Sequence, residues 1–173
     1  MINDITISVA GIEDIPALNI LVNSAYRGDT SRKGWTTEAH LLDGIRTTDE
    51  NLADMMQQPG AIILKCTNQK QQIIGCVFLQ KQNERLYLGM LTVSPELQGS
   101  GLGKKMLNEA EDYARKHQCT YIIMTVISAR PELIAFYERK GYKDTGETRP
   151  FPNDPRFGIP KQPLEFIVME KAL

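Results

Sequence analysis

A short glycine-rich loop, residues 98–104, has the residue types that bind phosphate. It follows an apolar run that ends at Ser94-Pro95, and an amphipathic helix is predicted to begin directly after it. Gly101 and Gly103 lack a Cβ, so positive φ is open to them and an anion can approach the main chain. Free N–H groups and the positive end of a helix dipole would meet there. A plain loop that caps a surface helix uses similar residues, and the glycine spacing alone does not separate the two interpretations.

Two familiar phosphate loops do not fit this spacing. A P-loop requires Ser or Thr directly after its Gly-Lys pair, whereas Lys104 is followed by Lys105. A dinucleotide-binding loop has Gly-x-Gly-x-x-Gly close to a strand. Here the third glycine comes one residue early, and Ser94-Pro95 stands between the strand and the loop. Neither class of nucleotide site matches the chain.

The pattern Gln98-x-x-Gly101-x-Gly103 resembles the pyrophosphate loop of the GCN5-related N-acetyltransferases, the GNAT family. The preceding run 91–95 resembles the fourth strand of that family. Residues 135–142 resemble its second signature, a helix that carries Phe-Tyr and ends at Gly-Phe or Gly-Tyr. Two motifs in the right order are more specific than either one, and the resemblance is strong over residues 85–145.

The resemblance implies acetyl-CoA as co-substrate and transfer of its acetyl group to a primary amine, on a small molecule or an amino terminus. No metal is expected, because the helix end and the lysines already balance the phosphate charge. The residues implied to bind acetyl-CoA are Leu91, Thr92, Val93, Gln98, Gly99, Ser100, Gly101, Leu102, Gly103, Lys104, Arg130 and Tyr137. Arg130 stands where the family often has Asn. It either pairs with a CoA phosphate or is solvated.

Tyr137 and Val93 are the predicted catalytic residues. Tyr137 matches the helix tyrosine of the family, which can protonate the leaving thiolate, and a packing role is its alternative. In the family a bulged fourth strand offers one amide to the thioester carbonyl, here that of about Val93, with Leu91 on the pantetheine arm. The acceptor of the amine proton stays open between a water chain and the side chains of Glu38, His40 and Asp43. Glu84 lies one turn before the strand on which glutamates often serve in the family.

Two loops are the predicted walls of the acceptor pocket. The polar segment 27–35 contains the sole Trp, and the proline-rich segment 149–163 contains Phe151 and Phe157. Long rigid loops with aromatic residues are more often functional than accidental, although these aromatics could also seal the end of the core. The predicted acceptor-binding residues are Tyr26, Trp35, Glu38 and Phe151.

The composition predicts a globular protein and disfavours several kinds of binding partner. The 173 residues, 42% hydrophobic and 24% charged, predict one globular domain over 1–173. A net charge of −1 disfavours non-specific binding to nucleic acid or membranes. The absence of a long apolar run and of a signal peptide predicts a cytoplasmic protein. The three cysteines, without CxxC spacing, are predicted to be buried free thiols. The sequence does not decide whether the chain forms a homodimer.

Hydrophobic periodicity predicts an α/β (α+β) fold. Strands are predicted over 5–9, 61–67, 73–80, 85–93, 121–127, 142–147 and 164–170. Helices are predicted over 14–26, 38–45, 49–57, 102–117 and 131–140. Segment 149–163, with five prolines, is predicted to lack regular structure. The resemblance implies a mixed sheet of seven strands, splayed between the fourth and the fifth and flanked by helices.

An N-acetyltransferase is the favoured function because Tyr137 supplies a proton donor. A non-catalytic acetyl-CoA-binding sensor is the first alternative, since it would keep the glycine loop and lose the proton chemistry. A nucleotide-binding protein of another fold is the second, and the missing hydroxyl after Lys104 disfavours it.

Overall fold

A seven-stranded sheet with helices packed on it dominates the computed structural model, which describes residues 4–27, 37–152 and 158–173. Its strands are β1 (Thr6–Val9), β2 (Leu42–Asp43), β3 (Ala61–Thr67), β4 (Ile73–Gln82), β5 (Arg85–Val93), β6 (Tyr121–Ile127), β7 (Lys143–Pro150), β8 (Ile159–Pro160) and β9 (Glu165–Ala172). The helices of the described ranges are α1 (Ile15–Tyr26), α2 (Asp49–Gln57), α3 (Leu102–Lys116) and α4 (Pro131–Arg139). The sheet has the order β1-β3-β4-β5-β6-β9-β7, and β2 pairs separately with β8.

The two faces of the sheet carry separate cores. Successive residues of β3, Ile63 and Leu64, belong to different clusters because neighbouring strand residues point to opposite faces. The cluster of Ile63 includes Leu18 of α1 and Leu52 of α2. The cluster of Leu64 includes Met106 and other residues of α3. The helices thus cover both faces, and α3 provides the crossover that the parallel pair β5–β6 requires.

The two central strands diverge after a short paired stretch. Strands β5 and β6 are paired only where residues 85–87 lie beside residues 121–123. On the other side of β5, the register with β4 shifts between Cys76 and Phe78, so that β5 contains an extra residue, and Met90 takes φ 53°. This bulge reverses the alternation: Leu88 packs in the α3-side core, whereas Met90, two residues later, packs in the α1-side core. The splay and the bulge open a gap at the centre of the sheet.

The predicted fold class is confirmed, with a mixed sheet of seven strands between helices. The strands predicted over 85–93 and 121–127 have the observed bounds. The three cysteines are buried and free, as predicted. No helix within the described ranges is long and apolar enough to cross a bilayer.

The helix predicted over 38–45 is wrong. These residues form turns and the short strand β2. Gly44 has φ +89°, which interrupts a right-handed helix, and the N–H of Lys161 donates to the carbonyl of Leu41 at 2.8 Å. Leu41 and its neighbour Leu42 are both buried in a small core with Ile127. Long-range pairing with β8 therefore outweighs the local helical pattern. The prediction that segment 149–163 lacks regular structure is also wrong in part. Strand β7 extends to Pro150, and β8 (Ile159–Pro160) pairs with β2.

Candidate active site

The glycine loop leads into α3 and leaves backbone donors uncapped. Gly101 is the N-cap residue, with φ 90° and ψ 1°, a left-handed conformation that glycine adopts without steric cost. No side chain of residues 4–27, 37–152 or 158–173 caps this end, and the first hydrogen bond of the helix is donated by the N–H of Lys105 to the Gly101 carbonyl at 3.1 Å. The N–H groups of residues 102–104 are therefore available to an anion. Ser100 differs, because its N–H donates to the carbonyl of Leu97 at 3.2 Å.

A cavity of about 470 Å³ lies beside this loop, and we call it the donor cavity. Ten of the predicted acetyl-CoA residues line it: Leu91, Thr92, Val93, Gln98, Gly99, Gly101, Gly103, Lys104, Arg130 and Tyr137. The side chain of Leu102 is buried in the α3-side core instead. Sequence reasoning missed the lining residues Ala25, Leu133, Phe136, Arg139 and Lys140. Leu133 stands four residues before Tyr137 on α4, so helical spacing was a usable signal for it.

The end of β5 presents main-chain groups to the gap. Val93 is paired with Gly75, and the N–H of the next residue, Ser94, donates to the carbonyl of Ile74 on β4 at 2.9 Å. In an antiparallel ladder this makes Val93 a non-hydrogen-bonded position, whose N–H and C=O point away from β4. The carbonyl of Val93 accepts a hydrogen bond from Nε2 of Gln98 at 3.3 Å. Its N–H therefore faces the donor cavity beside a carbonyl that the loop already binds.

Tyr26, at the end of α1, covers the bulge. Its hydroxyl donates to the carbonyl of Leu91 at 2.6 Å. The Cζ atoms of Arg46 and Arg130 lie 5.2 and 5.9 Å from the centre of its ring. Burial raises the pKa of Tyr26, whereas Arg46 and Arg130 lower it and nearby Glu38 raises it further. The hydroxyl therefore remains a donor to the bulged strand.

Glu38 is held between two buried guanidinium groups. Its Oε1 lies 2.8 Å from Nη2 of Arg27, and its Oε2 lies 3.1 Å from Nη1 of Arg130. All three residues are at most 5% exposed. The solvated state of Arg130 that the sequence left open is therefore wrong, because Arg130 is buried against a carboxylate of its own chain. Since Arg130 is the N-cap residue of α4, the triad joins that helix to the turn after α1.

Tyr137 is buried, with 6% of its surface exposed. Its hydroxyl makes no hydrogen bond within the described part of the chain, and its ring packs edge-on against Phe136 and Tyr142. Burial raises the pKa of Tyr137 well above its ordinary range, with Tyr26 adding to the rise and Arg130 opposing it. Tyr137 is therefore a protonated phenol with a free donor.

A second cavity, of about 670 Å³, lies on the other side of the gap, and we call it the acceptor cavity. Three of the predicted acceptor residues, Tyr26, Glu38 and Phe151, line it. The ring of Phe151 lies 5.3 Å from that of Phe166. Trp35 and Phe157 fall outside the residues that the structure describes. Arg46 also lines this cavity, and no sequence pattern pointed to it.

The two cavities meet at one place. The residues that line both are Tyr26, Leu91, Arg130, Leu133 and Tyr137. A group bound in the donor cavity would contact a group bound in the acceptor cavity only there. At this junction the hydroxyl of Tyr26 is bound to Leu91 and the guanidinium of Arg130 to Glu38. The main chain of β5 and the hydroxyl of Tyr137 are polar groups there that a reaction between the two could use.

The side chains considered as acceptors of the amine proton lie in different surroundings. Glu38 has both oxygens on guanidinium groups. His40 and Glu84 are exposed and line neither cavity. The side chain of Asp43 is outside the described part of the structure. No group of three His, Cys, Asp or Glu side chains among the described residues could hold a metal ion.

Residues 29–142 match the sequence profile of the Acetyltransferase (GNAT) family. The chain belongs to the GNAT family. The predicted family is thus confirmed, and with it the enzyme class of N-acetyltransferases, which use acetyl-CoA.

This GNAT chain is similar to proteins of several kinds. It is 25% identical over 134 residues to the glucosamine 6-phosphate N-acetyltransferase of Trypanosoma brucei brucei, covering 73% of this chain and 88% of that protein. The ribosomal-protein-S18-alanine N-acetyltransferase of Escherichia coli superposes with a TM-score of 0.72 at 18% identity, over 97% of this chain and 93% of that one. A putative streptothricin acetyltransferase from Bacillus anthracis, in complex with acetyl coenzyme A, gives 0.58 at 21% identity, over 70% of this chain and 67% of that one. The two structural likenesses show the fold.

A single added methyl group tests the loop of this GNAT chain. Gly101→Ala places a Cβ at φ 90° beside the free N–H groups, and we expect acetyl-CoA to bind at least about tenfold more weakly, the scale of losing one charge-assisted hydrogen bond. In Gly103→Ala the new Cβ would lie 3.7 Å from Cζ of Phe136 and 3.8 Å from Cγ2 of Val93, ordinary contact distances. Calorimetric titration of both variants measures the difference. If Gly101→Ala binds acetyl-CoA as tightly as the wild type does, this loop is not the phosphate site.

Proposed function

We propose that this chain transfers the acetyl group of acetyl-CoA directly to a primary amine, of a small molecule or an amino terminus. The observation that carries the proposal is the meeting of the donor and acceptor cavities beside the main chain of β5. An amine acceptor is supported by the names of two relatives, which specify glucosamine 6-phosphate and a ribosomal-protein alanine. Because the two cavities meet there, two substrates can be held at once with their reacting ends in contact.

In this proposal the donor binds mainly through backbone groups. The pyrophosphate of acetyl-CoA accepts hydrogen bonds from the uncapped N–H groups of residues 102–104, where the helix dipole also favours negative charge. Lys104, Arg139 and Lys140 line the same cavity and add positive charge. The pantetheine arm then follows β5 past Leu91 to the junction. The thioester lies beside the N–H of Val93.

The reaction is a direct displacement at the thioester carbonyl. The amine nitrogen forms a bond to the carbonyl carbon, and the C–S bond breaks. The N–H of Val93 donates to the oxygen that becomes negative on attack. Tyr137 gives its phenolic proton to the departing sulfur. The amine proton leaves to water, because both oxygens of Glu38 already accept from arginines, and water returns a proton to the Tyr137 phenolate.

Release of free thiol from acetyl-CoA, measured across a panel of primary amines, tests the function. We expect thiol release that depends on the amine and matches the amount of N-acetylated product found by mass spectrometry. A non-catalytic acetyl-CoA sensor would bind acetyl-CoA in calorimetry without amine-dependent thiol release. That result would replace the catalytic proposal with the binding one.

The pH dependence follows from the position of Tyr137. Its acid function requires the protonated phenol, which is lost only as pH rises through the pKa, and burial raises that pKa above the ordinary 10.0. We therefore expect kcat, measured with saturating substrates, to show no alkaline decline from this group below pH 10. An alkaline limb below that pH that is absent in Tyr137→Phe would contradict the assignment of the raised pKa.

A further inference from the structure

More positive than negative side chains line the acceptor cavity, although the chain as a whole carries a net charge of −1. Among its described lining residues the only carboxylate is Glu38, and there is no lysine. The arginines that line it are Arg27, Arg46, Arg85, Arg130 and Arg149. Among the described lining residues, five arginines therefore stand against one carboxylate, before partners outside the lining are considered. Such a surface repels cationic ligands and attracts anionic ones.

Three of these charges already have carboxylate partners. Arg27 and Arg130 share Glu38, and Nε of Arg130 also lies 3.6 Å from Oε1 of Glu132. Arg149 lies 2.7 Å from a carboxylate oxygen of Glu147. Neither Arg46 nor Arg85 has a carboxylate within salt-bridge distance in the part of the chain that the structure describes. Arg85 is an exposed residue at the start of β5, whereas Arg46 is half-buried. Arg46 is thus the inner cation that an acceptor could neutralise.

Arg46 is also fixed in place. Its backbone N–H donates to Oδ1 of Asn23 at 2.6 Å, and its guanidinium lies over the ring of Tyr26, with Cζ 5.2 Å from the ring centre. Tyr26 in turn is bonded to the carbonyl of Leu91 at the bulge. The charge is therefore held near the junction of the two cavities. A guanidinium stacked on an aromatic ring keeps its fork of N–H donors, which suits the paired oxygens of a carboxylate or a phosphate.

We propose that the acceptor is an amine that also carries an anionic group, a phosphate or a carboxylate, and that Arg46 binds this group. This inference rests on the proposed function for the amine, but the anion site itself does not require turnover. The positive cavity has a second effect on such a substrate. Neighbouring cations disfavour an ammonium ion, so a bound acceptor loses its proton more readily and becomes nucleophilic.

Binding is tested first, with 2-aminoethyl phosphate as the probe in a ³¹P NMR titration. Saturating CoA is present so that the donor cavity is filled. We expect saturable binding to the wild-type chain and at least about tenfold weaker binding to Arg46→Gln, the scale of one charge-assisted hydrogen-bonded pair. Arg46→Lys keeps the charge and should lie between the two. Arg115→Gln removes the same charge from the exposed face of α3 and should bind as the wild type does.

Competition separates the two anionic sources. 3-Aminopropanoate displaces the probe if a carboxylate suffices, and fails to displace it if the site requires a phosphate. Equal probe affinity in the wild type and both Arg46 variants, or tighter binding of 1,3-diaminopropane than of either anionic amine, would overturn the proposal. Arg46-dependent binding without thiol release for any amine would instead leave the anion site standing and reject the acetyltransferase function.

Discussion

Tyr137→Phe is expected to lower kcat by about 100-fold, the usual contribution of a general acid, with little change in the affinity for acetyl-CoA. The substitution removes one oxygen atom and keeps the ring that packs between Phe136 and Tyr142. The hydroxyl makes no hydrogen bond within the described residues, so its loss breaks none there. The effect belongs to kcat because the proton moves only as the C–S bond breaks. Steady-state rates at saturating substrates, with calorimetric titration of acetyl-CoA, measure both quantities.

Tyr142→Phe is the matched control for this experiment. The ring of Tyr142 lies 5.9 Å from that of Tyr137, it is also buried, and it lines neither cavity. Its hydroxyl is buried and has no hydrogen-bond partner among the residues that the structure describes, so its removal should not destabilise the chain. We expect wild-type kcat for this variant. A Tyr137→Phe enzyme within about threefold of Tyr142→Phe would contradict the acid role and leave Tyr137 as a packing residue.

Glu38→Ala is expected to lower the free energy of unfolding by about 3–5 kcal/mol, the range found when one partner of a buried ion pair is removed. The carboxylate of Glu38 binds Arg27 at 2.8 Å and Arg130 at 3.1 Å. Its removal leaves two guanidinium groups buried without that counter-charge. Denaturation with urea, followed by circular dichroism, gives the change in free energy. Glu38→Gln keeps the shape and an acceptor oxygen, and a smaller loss is expected for it.

An exposed ion pair provides the contrast for Glu38. Glu147 lies 2.7 Å from Arg149, closer than either contact of Glu38, but both side chains are about half exposed. Glu147→Ala should change the free energy of unfolding by less than about 1 kcal/mol, because water solvates the arginine once its partner is gone. Similar losses for Glu38→Ala and Glu147→Ala would show that the triad is not buried in solution.

The long periodic elements were predictable from the sequence, and the segment after α1 was not. Strand β6 is a continuous apolar run, and α3 carries an apolar stripe such as Met106 and Ala110, so local pattern and final burial agree. Residues 38–45 also show helical spacing, but Leu41 and Leu42 meet a core built by distant strands. Pairing with β8 is decided by residues far away in the chain, and no local window contains that information.

The candidate site divides in the same way. The backbone donors at residues 102–104 could be predicted, because glycines directly before a helix are a local signal. The triad could not, since Glu38 and Arg130 are separated by 92 positions and only the folded chain brings them together. Arg46 is the clearest omission. It lies in a short connection between β2 and α2, where an arginine is ordinarily a solvated residue.

The uncapped end of α3 also bears on how this enzyme can change over evolutionary time. Its N–H groups belong to the main chain, which every amino acid except proline supplies, so under the proposed function most substitutions along α3 leave the binding of acetyl-CoA intact. In the proposed function the acceptor is recognised by side chains such as Arg46, which a single substitution can replace. Such a chain can change its acceptor specificity by substitution while its binding of acetyl-CoA is kept.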